Sequence, residues 1–144
     1  MIILCLGNEA DNNDSLPVRI MPLLKTKLPR FNFVKYDPTE ELISGKDGLI
    51  FIDTIVGIKK ITVFNSLSAF TASPSISVHD YDLYLELSLR KKLKKLKDFF
   101  IIGLPGHLTP EKAAIEVCKI LKSAVTDFEK VRSTAHAGVV SADN

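Results

Sequence analysis

Apolar residues in this chain fall into short runs, and polar turns divide the runs into segments of strand and helix length. Ile2–Leu6 is a continuous apolar run stopped by Gly7-Asn8, the pattern of a strand buried on both faces. After a polar loop over 8–14, Leu16, Ile20, Leu23 and Leu24 recur at helical spacing. Asp14 or Ser15 stands where that helix needs a cap, Pro17 is tolerated in its first turn, and Pro22 predicts a kink or a short helix. Phe31–Tyr36 alternates and reads as a second strand closed by Asp37-Pro38, with one brief helical turn over Thr39–Ile43. Leu49–Ile52, bounded by Gly48 and Asp53, is a third strand; Lys60–Phe64 is a fourth, β-branched and suited to an antiparallel edge.

A loop rich in Ser, Thr, Ala and Pro over 66–77 leads to His79 and a long helix from about Asp80 to Lys97, with Leu85, Leu89, Leu93 and Leu96 on one face. Phe99–Ile102 is the last buried strand, stopped by Gly103-Leu104-Pro105-Gly106. Thr109-Pro110-Glu111 then opens a final helix with a cap, a proline at its first position and an acid in its first turn. Its apolar face is expected at Ile115, Cys118, Leu121 and Val125. Strands apolar on both faces and alternating with helices predict a three-layer α/β/α domain with a mostly parallel sheet of about five strands. That domain is expected over residues 1–130, with a flexible polar tail over 131–144.

Composition narrows the class without naming a chemistry. The 144 residues suffice for one domain with a real core. A net charge of +2 is too small to imply nucleic acid. No apolar stretch approaches the roughly 20 residues a membrane span needs. Met1 leads directly into an apolar run with no basic segment or cleavage site, so a cytoplasmic protein without membrane insertion is expected. Cys5 and Cys118 sit inside apolar runs and read as buried thiols in a reducing compartment. Arg90–Lys97 holds six cations among leucines, a solvated outer face or a basic helix 90–97 that contacts an acidic partner.

In an open α/β sheet, ligands bind beyond the carboxyl ends of the strands. Asp14, after the first strand, Asp53, ending the third, and His79, opening the long helix, all fall there. Two carboxylates and one imidazole suit a divalent transition metal and leave coordination positions open. Taken singly, each residue also has an ordinary reading: a helix cap for Asp14, a strand-end turn for Asp53, a surface loop or cap for His79. His107 lies beyond the last strand as a loop residue or a substrate contact.

Several of these segments resemble, in order, the hydrogenase maturation proteases. Gly7-Asn8 six residues before Asp14 is similar to the end of that family's first strand and its acidic ligand. Tyr36-Asp37-Pro38-Thr39-Glu40 resembles its acidic turn, and Leu49-Ile50-Phe51-Ile52-Asp53 its strand ending in a second acid. Ser77-Val78-His79 resembles its helix-opening histidine, Ile102-Gly103-Leu104-Pro105 its Ile-Gly-x-Pro strand end, and Leu108-Thr109-Pro110-Glu111 its Leu-Ser-Pro-Glu helix start. The matches span residues 2–125. The resemblance implies an endopeptidase that removes a C-terminal peptide from the large-subunit precursor of a nickel–iron hydrogenase. It implies Asp14, Asp53 and His79 as catalytic residues and ligands of a Ni2+ carried by the substrate, with Asp37 supporting them. Asn12-Asn13-Asp14-Ser15 departs from the family's small acidic run, and Pro17 from its glycine. Glu9 or Asp11 therefore competes with Asp14, and a non-catalytic metal- or precursor-binding module is the alternative function.

Overall fold

A computed structural model describes residues 1–42, 48–68, 78–96 and 98–142, with side chains over 1–42, 48–68, 82–96 and 98–127. Its elements run β1 (Ile2–Cys5), α1 (Leu16–Lys27), β2 (Asn32–Lys35), β3 (Leu49–Thr54), β4 (Thr62–Phe64), α2 (Val78–Lys92), β5 (Phe99–Leu104) and α3 (Pro110–Ala142). The five strands form one sheet in the order β2-β1-β3-β5-β4. All neighbours are parallel except β4, the short edge strand, which pairs antiparallel with β5. The expected three-layer α/β/α architecture is what the chain adopts.

Alternation along the strands divides the core. Ile3, Cys5, Phe33, Ile50, Ile52 and Ile102 face α1 and α3, and pack with Ile20, Leu24, Val117 and Leu121. Leu4, Leu6, Leu49, Phe51 and Ile101 face the other way, against Leu83 and Leu87 of α2. Every residue of β3 is buried, as a central strand covered on both faces requires. Gly103 lets the sheet close over its neighbours: a Cβ there would stand 2.8 Å from Ile55 Cγ1 and 3.0 Å from Phe64 Cε2.

Several elements differ from expectation, each for a local reason. Ser15 occupies the N-cap of α1 without a side-chain cap bond, because its φ of −96° and ψ of −9° are already helical. Pro17, buried in the first turn, offers no amide there, and Pro22 lies inside a helix that continues to Lys27. The turn expected over 39–43 is reduced to the bond Glu40 N–H to Asp37 O, 2.9 Å; Ile43 lies outside the described residues. Helix α2 ends at Lys92, short of Lys97, so the basic run 90–97 is not one helix. Lys94 is left-handed (φ 56°), while Lys95 N–H reaches Arg90 O (2.9 Å) and Lys94 N–H reaches Lys91 O (3.1 Å). This pair of bonds is the Schellman stop, made here without the usual glycine.

Of the leucine face expected at Leu85, Leu89, Leu93 and Leu96, the first three are 47%, 53% and 55% exposed and only Leu96 packs against the core, whereas Leu83 and Leu87 are fully buried. In α3 the capping expectation holds, with Lys112 N–H bonded to Thr109 Oγ1 at 3.3 Å. Its inner face is Ala113, Ala114, Val117, Cys118 and Leu121, and Ile115 points outward. The backbone from 131, read above as a tail, continues α3 as helix to Ala142.

Candidate functional site

The strand order reverses direction between β1 and β3: the chain leaves β1 for β2 on one side and later returns to β3 on the other. In doubly wound sheets the crevice at such a switch, beyond the carboxyl ends, is where ligands bind. Two bonds define the crevice floor here. Leu6 N–H reaches Ile52 O at 2.9 Å, and Tyr36 N–H reaches Cys5 O at 2.9 Å. Gly7, Asp37 and Asp53 each follow directly on these bonded ends.

The loop after β1 is built by its own polar residues. Asn8 N–H closes it onto Asp14 O (3.0 Å), and Asp11 N–H to Asn8 O and Asp14 N–H to Asp11 O divide it into two turns. Asn8 Oδ1 accepts from Ala10 N–H (3.0 Å) and Asp11 Oδ1 from Asn13 N–H (2.9 Å), the Asx turns these residue types favour. Gly7 makes the closure possible. Its φ is +147°, and a Cβ would lie 2.4 Å from Asp14 O.

This loop and the end of β2 enclose a hollow of about 220 Å³ whose walls include Asn8, Asp14, Lys35, Tyr36 and Asp37. Of the acids weighed in the loop, Asp14 lines the hollow. Glu9 is turned to Lys35 in an exposed pair at 3.6 Å, and the Asp11 carboxylate is engaged in its own turn. Asp37 is held by Thr39, whose N–H and Oγ1 both donate to Oδ1 at 2.9 and 2.8 Å. These two bonds anchor one oxygen of its carboxylate.

Asp53 is different in kind. It is 1% exposed, at the end of a strand of apolar residues. A carboxylate so placed carries a large desolvation cost unless charge or hydrogen bonds offset it. By alternation it belongs to the face of Phe51, which is the face α2 covers. His79 lies in the first turn of α2, and its side chain lies outside the described ones. Among the described residues no three His, Cys, Asp or Glu side chains form a metal-binding group.

Two hydroxyls are buried at this edge: Ser15 (1% exposed), expected only as a helix cap, and Thr54 (5%), which sequence reasoning missed. With Asp53 they make up the buried polar side chains of the described core. Ser15 Oγ and Thr54 Oγ1 have no hydrogen-bond partner among the described residues. Their signal was available in part, since Thr54 directly follows Asp53 and Ser15 directly follows Asp14. The turn after β5 closes the same edge, for Gly106 approaches Asn13 O and Thr54 Cγ2. His107, beside it, is exposed.

The cysteine side chains do not line the hollow, and that of Cys5 packs on the α1 face. Both cysteines are free and buried, and desolvation pushes the Cys5 thiol up to about 12, against the opposing charge of Lys25. Burial likewise raises Tyr36 to about 12, with the Glu86 charge adding to it.

No family model matches the sequence, and no curated protein matches it. Solved structures do. The hydrogenase maturating endopeptidase HybD from E. coli superposes with a TM-score of 0.63 at 22% identity, covering 85% of this chain and 93% of that one. An endopeptidase from Escherichia coli gives 0.61 at 24% identity, covering 88% and 93%. A hydrogenase 3 maturation protease gives 0.53 at 14% identity, covering 81% and 85%. The resemblance drawn from short motifs is thus met by a shared fold over most of both chains. Among the described residues no helix is long and apolar enough to cross a membrane.

Proposed function

We propose that this chain is a cytoplasmic processing endopeptidase that removes a C-terminal peptide from the nickel-loaded large-subunit precursor of a nickel–iron hydrogenase. The observation that carries the reading is the carboxyl edge of β1, β2 and β3. There Asp14 and Asp37 line one hollow and a buried Asp53 ends the neighbouring strand, in a fold shared with maturation endopeptidases. Asp14, Asp53 and His79 are assigned to the nickel, with Asp37 supporting. Two carboxylate oxygens and one imidazole nitrogen are a donor set that divalent first-row metals accept. Three protein groups leave positions for ligands the substrate brings.

In this reading the metal belongs to the precursor, and the protease recognises it as part of the substrate. Only a loaded precursor is then held with its tail in the crevice. Positioning of this kind accounts for a large share of rate enhancement in enzymes. The backbone bonds around Asp14 and the two Thr39 bonds to Asp37 Oδ1 support this reading by fixing the Asp14 backbone and one Asp37 carboxylate oxygen beside the hollow.

The test is to incubate the protein with nickel-loaded and nickel-free precursor and follow precursor length on a gel. Shortening of the loaded form alone is expected. Binding of the loaded precursor without shortening would replace the enzyme by a non-catalytic module of metallocentre assembly. Equal shortening of both forms would remove nickel from the account.

A further inference from the structure

Helix α2 has apolar residues on two sides. Leu83 and Leu87 are buried against the sheet, while Leu85, Leu89 and Leu93 stand 47%, 53% and 55% exposed. The exposed three follow at four-residue spacing, so they form one row about 12 Å long at 1.5 Å per residue. Such a row is the ridge by which one helix packs on another. A helix apolar on both sides ordinarily has both covered.

The row is bordered at one end by charge of a single sign. Lys91, Lys92, Lys94 and Lys95 are exposed, and among the described residues none of them is in an ion pair. Arg90 is the exception. Its Nε donates to Glu86 Oε1 at 2.9 Å and its Nη2 to Leu42 O at 3.2 Å, so it belongs to the fold. The Schellman stop at Lys94 turns the chain off the helix axis and spreads the lysines around the end of the row.

We propose that the outer face of α2 docks an acidic amphipathic helix of a partner protein, its apolar side chains on Leu85, Leu89 and Leu93 and its carboxylates on Lys91, Lys92, Lys94 and Lys95. The charge selects this occupant over two others. A second copy of the chain would bring, on the described part of this face, Asp82 and a Glu86 already held by Arg90, against its own four lysines. An anionic bilayer would accept the lysines, but the row is one side chain wide and has Asp82 at its head, whereas interfacial helices present a broad apolar face.

The test uses fluorescence anisotropy of the full chain with a labelled synthetic helix carrying leucines at four-residue spacing flanked by glutamates. Binding that weakens with salt is expected, because exposed charges are screened within about 8 Å at physiological ionic strength. Replacing Leu85 and Leu89 by serine should weaken it by about tenfold or more, the loss expected of central apolar contacts. Lys92→Glu with Lys95→Glu should weaken it comparably and flatten the salt dependence. Both variants should melt with the parent, since the substituted side chains are exposed. Failure of the peptide to bind, or equal binding by the leucine variant, would overturn the proposal. So would binding to phosphatidylserine vesicles in place of the peptide, or self-association in light scattering that the leucine substitutions abolish.

Discussion

Helix α1 lies on the sheet with Leu16, Ile20 and Leu24 beneath it and Arg19, Lys25 and Lys27 outside, whereas α2 buries Leu83 and Leu87 and holds a second leucine row in solvent. Both helices carry apolar residues four apart, and both cover the same sheet from opposite faces. The difference lies in what surrounds each row. In α1 the exposed positions are Arg19, Pro22, Lys25, Thr26 and Lys27, so no second apolar row stands in solvent and only one side can be the buried one. In α2 the outward row is longer than the inward one, and spacing alone marks the wrong side. Hydrophobic periodicity therefore locates a core face when a helix has one partner, and loses that power when it has two.

Truncation separates the rows most sharply. Leu87→Ala should cost about 2–5 kcal/mol, as removal of a fully buried leucine does, and Leu89→Ala no more than about 0.5 kcal/mol, as an exposed substitution does. Ile20→Ala should behave like Leu87→Ala. Denaturant melts of the three variants check this, and similar losses for Leu87 and Leu89 would erase the distinction between the faces.

A smaller effect is expected at the turn that presents Asp14. Gly7→Ala places a Cβ 2.4 Å from Asp14 O at a φ of +147°. Backbone strain of about 1–3 kcal/mol is expected. Because the strain falls on the bond that closes the loop, precursor shortening should drop by more than the loss of stability explains. A variant that melts low but shortens precursor normally would detach the loop from the site.

The core behind α1 gives a pH signature. The Cys5 thiol has its pKa raised by burial from 9.0 to about 12, so the folded state holds its proton where the unfolded chain has released it. The stability this contributes is fully present below pH 9 and is lost as pH rises towards 12. Tyr36, raised from 10.0 to about 12 on the α2 side, adds to the same alkaline decline. Cys5→Ala should flatten the decline in a series of melts across that range; an unchanged slope would show that Cys5 is not what titrates. The smallest effect belongs to the Glu86–Arg90 pair at 2.9 Å, four residues apart on α2. Glu86→Gln should cost about 0.5 kcal/mol or less, and the cost should shrink in salt.

The succession of elements along the chain, the strand content and the capping of α3 were legible because each follows from local chemistry: apolar runs between turn residues, and Thr109-Pro110 ahead of Glu111. The antiparallel edge was legible from the β-branched, partly alternating run Lys60-Ile61-Thr62-Val63-Phe64. The stop of α2 was not, since a lysine took the left-handed position that glycine usually marks. At the site, Asp14 stood out from Glu9 and Asp11 only once the loop closed, because a sequence does not say which of three neighbouring acids its turns will consume. Thr54 was overlooked, and Ser15 read only as a helix cap, because a hydroxyl draws notice at a site only when its burial is known.

The central claim is that Asp14, Asp53 and His79 act on a nickel-bearing substrate, and His79→Ala tests it most directly. His79 lies in the first turn of α2, a position the sequence gives no part in the core, so its removal should shift stability by no more than about 0.5 kcal/mol. The measurement is nickel-dependent shortening of the loaded precursor, read beside a thermal melt of the same variant. The expected result is a parental melt with shortening abolished. A variant that melts with the parent and still shortens the precursor at the parental rate would contradict the assignment.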